Sequence, residues 1–255
     1  MEQRRVHFMD EMRGFAVFCM VFYHAFFFLG EIAGLRFFTQ AFDFFTPLEP
    51  LFAGAFIFIS GVSSRLSKSN LRRGLRLAAI AAGLTLVTAF LLPVLGFADC
   101  EIWFGILHFL ACAILLFALL RPALDRVPPV AGLLGCAVLY PFFAGIPERV
   151  LRYGELVVFR LPDALYRTNW LVPLGFYNDY FASADYFPLF PDLFIFLAGA
   201  FCGAICLERG FPAWSYPQRV RFFGFLGRHA LPIYLIHLPV VAGLSAAAEA
   251  LINLK

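Results

Sequence analysis

Asp10-Glu-Met-Arg13-Gly-Phe-Ala-Val-Phe-Cys-Met-Val-Phe-Tyr-His24 opens with charge and continues into an apolar run that still carries an imidazole. Read as an α-helix turning about 100° per residue, the step from Arg13 to His24 returns to within roughly 20° of one face, after ~16 Å of rise. Asp10, three residues before Arg13, shares that face. The first helix therefore offers a cation at a membrane edge and an imidazole deep in an apolar layer. An ionisable group inside the membrane is costly and is a functional candidate by default. The plainer reading is a core histidine hydrogen-bonded to a neighbouring helix.

Composition sets the context for that helix. Of 255 residues, 62% are hydrophobic and 15% charged, whereas soluble domains carry roughly a quarter charged residues. An all-α integral membrane protein is expected. The 34 phenylalanines need no explanation beyond lipid-facing and bundle-core packing. Cys202 and Cys206 share a helix face, but no other cysteine or histidine lies near them in sequence. Neither a metal site nor a disulfide framework is expected, and nothing points to nucleic acid. The N-terminal Arg4-Arg5 and apolar run resemble a secretion signal, yet no small-x-small cleavage site follows; the run is read as a retained span.

Seven segments approach the ~20 apolar residues that a span requires: 12–30, 48–64, 74–97, 102–120, 129–147, 187–207 and 229–250. Together they make one transmembrane domain over 1–255. Pro93 predicts a kink or early stop near the end of the third. Lys and Arg collect on alternate connections: Arg4, Arg5 and Arg13; Arg65, Lys68, Arg72, Arg73 and Arg76; Arg121 and Arg126; Arg209, Arg219, Arg221 and Arg228. Carboxylates such as Asp43, Glu49, Asp99, Glu101, Asp163, Asp179 and Asp185 gather on the others. The positive-inside rule then places the N-terminus inside and the C-terminus outside. The long outer loop 148–186 mixes tyrosine and tryptophan with both charge signs, as an interfacial belt or a recognition surface would. Gly199 and Gly203 form a small-xxx-small patch suited to intramolecular packing or to a homo-oligomer contact.

Beyond His24, candidate chemistry lies at His108, a turn or two into the fourth span, and at His237, some two turns into the seventh. The three histidines reach similar depths, as in a polar central cavity. His7 is expected to be solvated. Asp185 and Asp192 flank a proline-interrupted entry to the sixth span, where irregular backbone would line a pocket. The inner loop Ser63-Ser-Arg-Leu-Ser-Lys-Ser-Asn-Leu-Arg-Arg-Gly74 sets Arg65, Lys68, Arg72 and Arg73 around serines and Asn70 beside a helix start. That pattern suits a phosphate, although the positive-inside signal alone accounts for its charge.

These stretches, with Phe104-Gly-Ile-Leu-His108, Ala184-Asp-Tyr-Phe-Pro-Leu-Phe-Pro191 and Leu226-Gly-Arg-His-Ala-Leu-Pro-Ile-Tyr-Leu-Ile-His-Leu-Pro239, resemble the catalytic-domain family of heparan-α-glucosaminide N-acetyltransferase, in its short bacterial members. The Arg13 to His24 spacing is also similar to the signature of the wider transmembrane acyltransferases. The resemblance implies an acyl-CoA donor, acetyl-CoA foremost, on the cytosolic side of a bacterial inner membrane, a sugar or glycan acceptor on the other side, and a catalytic histidine at His24.

With that implied chemistry, Arg13, Arg65, Lys68, Asn70, Arg72, Arg73 and Arg228 are the candidates to hold CoA. Asp10, His108, Asp185 and His237 are supporting or acceptor-side candidates. His24 would act as general base or take the acyl group itself, and His108 could supply an oxyanion donor. Two other classes stay open: a small proton-coupled transporter or flippase using the histidines as a relay, and a non-catalytic membrane scaffold. Paired broken helices, expected of many transporters, are not evident.

Overall fold

The computed structural model describes residues 5–94 and 101–253. Arg4, residues 95–97 of the third expected span, Asp99 and Cys100 lie outside the described residues. Helices account for 74% of the described residues. They are α1 (His7–Phe27), α2 (Arg36–Phe45), α3 (Glu49–Leu66), α4 (Asn70–Leu86), α5 (Leu92–Val94), α6 (Ile106–Leu124), α7 (Pro129–Phe143), α8 (Asp192–Arg209), α9 (Arg221–Arg228) and α10 (Ala230–Asn253). Strands β1 (Val150–Tyr153) and β2 (Leu156–Arg160) pair as an antiparallel hairpin with a bulge between Leu151 and Arg152.

Among the described residues, six helical runs are long and apolar enough to cross a membrane: His7–Ile32, Arg36–Leu66, Asn70–Val94, Ile106–Leu124, Pro129–Glu148 and Ala230–Ala248. The protein is an integral membrane protein. The sixth expected segment is α8, a shorter helix with Asp192 at its start and Glu208 and Arg209 at its end. Its apolar stretch is correspondingly brief. The connection expected between the first two spans is instead helical. Helix α2 runs through a 3-10 turn, Thr46–Leu48, directly into α3.

Local sequence accounts for the interruptions. Proline lacks the N–H that closes an i→i−4 bond. Ahead of Pro93 the chain widens into a π turn, Val87–Leu91, one of the recognised ways a helix accommodates such a break. A second π turn, Phe28–Ile32, closes the first run, and Gly34 at φ +70° ends it.

The chain forms two compact units, Met1–Ile59 with Arg209–Lys255, and Ser60–Glu208. In the first, α1 carries a cluster of Ala16 and Cys19 with Phe52, against which Phe18, Met20, Tyr23 and Phe56 pack. Helices α1 and α9 touch backbone to backbone: a Cβ on Gly14 would lie 1.8 Å from the Phe223 carbonyl oxygen, and one on Gly227 would lie 1.8 Å from that of Asp10. In the second unit, Phe109, Phe117, Phe196 and Ile114 are fully buried. Cys136, Phe194 and Phe201 form another cluster there with Phe143 and Phe190. Gly203 packs on Val62 and Arg65, so this half of the small-residue patch serves helix packing within the chain.

Candidate functional site

In the first unit, α1 and α10 bring His24 and His237 together, with ring centroids 5.0 Å apart at 67°. Nδ1 of His24 lies 3.0 Å from the Met20 carbonyl oxygen, and Nδ1 of His237 lies 2.6 Å from that of Tyr234. A carbonyl only accepts, so each Nδ1 carries the hydrogen, and each neutral ring presents a basic Nε2. His237 is buried, and its Nε2 has no hydrogen-bond partner. A groove of about 430 Å³ opens beside it, lined mainly by Val21, Phe225, Pro232, Ile233 and Val240, with His229 also on its wall. His229 is exposed, its Nδ1 bonded to the Phe225 carbonyl at 3.0 Å.

About three turns toward the start of α1 from His24, Arg13 meets Asp10 at 3.3 Å. Asp10 also accepts from Arg5, at 2.8 Å from Nε and 2.7 Å from Nη2. The face expected from periodicity is thus an ion-paired face. Arg228, the last residue of α9, is exposed. Sequence reasoning missed Glu11. Its carboxylate accepts the backbone N–H groups of Arg219 at 2.6 Å and Val220 at 2.9 Å. It thereby supplies the cap that α9 lacks locally and an anion at that helix's positive end. No sequence signal connects two residues so distant in the chain. His7 is half-buried rather than solvated, and its Nδ1 is buried without a partner.

In the second unit, the loop between α3 and α4 uses several of its donors internally. Asn70 is buried, and its amide donates to the Ser64 carbonyl at 2.8 Å while its Oδ1 has no partner. The Ser64 hydroxyl donates to the Ser60 carbonyl at 2.8 Å and accepts from Arg73 at 3.3 Å. Arg65 is ion-paired with Asp125. Lys68 and Arg72 are the exposed cations of the loop.

His108 sits at the start of α6. The Gly105 N–H donates to its Nδ1 at 3.2 Å. Nε2 therefore carries the hydrogen and donates to the Thr85 hydroxyl at 3.0 Å, which donates in turn to the Ile102 carbonyl at 2.7 Å. Both ring nitrogens are engaged by the protein, so an oxyanion role would require these bonds to change. Asp185 accepts the Ile106 N–H at 3.0 Å, and a Cβ on Gly105 would lie 2.2 Å from its carboxylate. Here Asp185 is the anion that caps α6.

The 148–191 segment is a built surface. Arg149 pairs with Asp163 at 3.3 Å and Asp179 at 2.9 Å. Tyr177, Phe181 and Tyr186 pack within 5.4 Å of one another, with Tyr186 edge to face against both others. Burial raises the hydroxyls of Tyr166 and Tyr186 above the usual phenol range. Both act as donors, to the carbonyls of Ile146 and Val172. Trp170 and Tyr180 are highly exposed.

Paired basic nitrogens inside an apolar helix bundle can accept a proton or attack an electrophile while bulk water is kept out. Among the described residues, no group of three or more His, Cys, Asp or Glu side chains could hold a metal ion. Residues 5–239 match the family model described as Heparan-alpha-glucosaminide N-acetyltransferase, catalytic. Neither the curated proteins nor the solved structures contain a match.

Proposed function

This chain belongs to the heparan-alpha-glucosaminide N-acetyltransferase catalytic family, and on that premise we propose that it transfers an acyl group, acetyl foremost, from acyl-CoA to a sugar or glycan acceptor, with His24 as the central residue. The observation that carries this reading is the tautomer of His24. Its Nδ1 hydrogen is given to Met20, so in the neutral ring Nε2 carries the lone pair that would serve as base or nucleophile. A general base would deprotonate the acceptor, whereas a nucleophile would carry the acyl group between two easier steps.

Each unit offers candidate cations for the phosphates of CoA. Arg13 and Arg228 belong to the first unit. Arg65, Lys68, Asn70, Arg72 and Arg73 belong to the second, where exposed Lys68 and Arg72 are the most accessible charges. Phosphate recognition by such side chains rests on charge-assisted hydrogen bonds. Asp10 orients Arg13, and His237 supports the acceptor side. His108 and Asp185, the supporting candidates of the second unit, hold the start of α6 there. Seven spans, an internal N-terminus and an external C-terminus in a bacterial cytoplasmic membrane would expose loop 148–186 to an extracytoplasmic glycan. α8 then serves as the sixth span, with its charged ends at the two headgroup levels.

Incubation of the purified protein with [14C]acetyl-CoA and a glucosamine or glucoside acceptor tests the reading. Label is expected in the acceptor together with stoichiometric free CoA. Release of no CoA, with or without an acceptor, contradicts it.

A further inference from the structure

We propose that His237 is a second catalytic residue, the base that takes the proton of an acceptor hydroxyl or amine carried on an apolar body, while His24 receives the acyl group. The inference rests on the acyl-transfer reading above and assigns the two histidines different reactants.

Both rings give their Nδ1 hydrogen to a carbonyl of their own helix, His24 to Met20 and His237 to Tyr234. Both Nε2 atoms are then acceptors in the neutral rings. Two acceptors cannot bond to each other, so rings only 5.0 Å apart do not form a neutral hydrogen-bonded relay. The two nitrogens can therefore address different groups. For His237 the chemistry of that group follows from its burial. The residue is 5% exposed, and its Nε2 has no partner, a costly state for a buried acceptor. A hydrogen-bond donor relieves it. The reacting end of a thioester offers none, because its carbonyl oxygen and sulfur only accept. An acceptor O–H or N–H does.

The groove supplies the rest of the substrate class. Its wall at His237 continues into Val21, Pro232, Ile236 and Val240, an apolar lining that admits a hydrocarbon as readily as a lipid tail and offers little to a free sugar. The acceptor best matched to it is a lipid-borne alcohol or amino sugar.

Nε2 of His24 bonds to the acyl carbon as the C–S bond breaks, and the electron pair leaves with sulfur as the thiolate. The acceptor O–H then breaks, and its proton passes to Nε2 of His237. The oxygen bonds to the acyl carbon, and the acyl–nitrogen bond returns its pair to His24. The departing thiolate takes a proton from water as CoA leaves, and His237 finally returns the acceptor's proton to water, so that the net products are the ester and CoA thiol. An amine acceptor loses an N–H in the same way and yields an amide.

The test uses the full chain in lipid nanodiscs with acetyl-CoA, decyl β-D-glucosaminide as the lipid-borne probe and free glucosamine as its comparison. His237→Gln is expected to lower transfer to the probe at least 100-fold while retaining the acceptor-independent burst of CoA. His24→Gln is expected to lose both. Wild-type transfer by His237→Gln, or loss of the burst in step with transfer, overturns the assignment. A kcat/KM for free glucosamine equal to that for the decyl sugar overturns the lipid-borne class. The 15N resonance of His237 Nε2 in the wild-type protein gives a reading independent of turnover and of variant folding. It should move on titration with the probe, and a stationary resonance overturns the contact. A wild-type protein that releases no CoA yet shows the shift separates failure of acyl transfer from failure of the His237 contact.

Discussion

His24 and Arg13 lie on one helix, so the 3.6-residue repeat sufficed to place them on one face with Asp10. The partners that complete their surroundings come from the other end of the chain, where no local pattern connects them. His237 was visible as an intramembrane histidine, yet only the folded chain shows it against His24 with an unsatisfied Nε2. Glu11 had no such signal at all. At this scale, His24→Ala is expected to reduce acetyl transfer by at least about 100-fold while equilibrium binding of radiolabelled acetyl-CoA stays within about twofold. Replacement of the exposed pair, Lys68→Ala with Arg72→Ala, is expected to weaken acetyl-CoA binding about tenfold at low salt and less at high salt, since screening already removes part of the attraction. Binding isotherms at two ionic strengths check this, and unchanged affinity at both would remove these cations from the CoA reading.

The helices themselves were largely legible, because long apolar runs bounded by charge and proline have few other solutions in a membrane. Near Pro93, where a kink or early stop is expected, the chain forms a π turn, Val87–Leu91. Helix α2 was not legible: Thr46-Pro-Leu48 reads as a turn, but proline is tolerated at a helix start, and a 3-10 turn carries α2 into α3 there. The tight α1–α9 contact was hidden for another reason, since single glycines do not announce what approaches them. Gly14→Ala or Gly227→Ala, each placing a methyl group 1.8 Å from a backbone oxygen, is expected to destabilise the fold by about 1–3 kcal/mol. Gly243→Ala, with nothing within 4 Å of its new Cβ, is expected to be neutral or slightly stabilising. Thermal unfolding in detergent separates the two cases. Asp185→Ala removes the anion from the start of α6 and is expected to cost about 1–2 kcal/mol, read in the same experiment.

For the whole molecule, composition alone established a helical membrane protein, and the quoted stretches carried the family. Charge placement gave an orientation and a span count, and α8 is the element on which that count turns. It carries charges at both ends, which a seven-span topology would place at the two headgroup levels. With seven spans the termini lie on opposite sides. A C-terminal alkaline phosphatase fusion in bacteria is then expected to be active, with Trp170→Cys labelled from outside and Lys68→Cys labelled only after permeabilisation. Both termini on one side would remove α8 from the spans. The most direct measurement for the account as a whole is CoA release from acetyl-CoA by purified wild-type protein beside His24→Ala, with acetyl-CoA binding followed in both. The account predicts CoA release by the wild type, its loss in His24→Ala, and binding in each. Equal release by the two proteins would contradict the role of His24, and a wild type that binds no acyl-CoA and releases no CoA would contradict acyl transfer itself, leaving proton-coupled transport through the histidines as the reading to pursue.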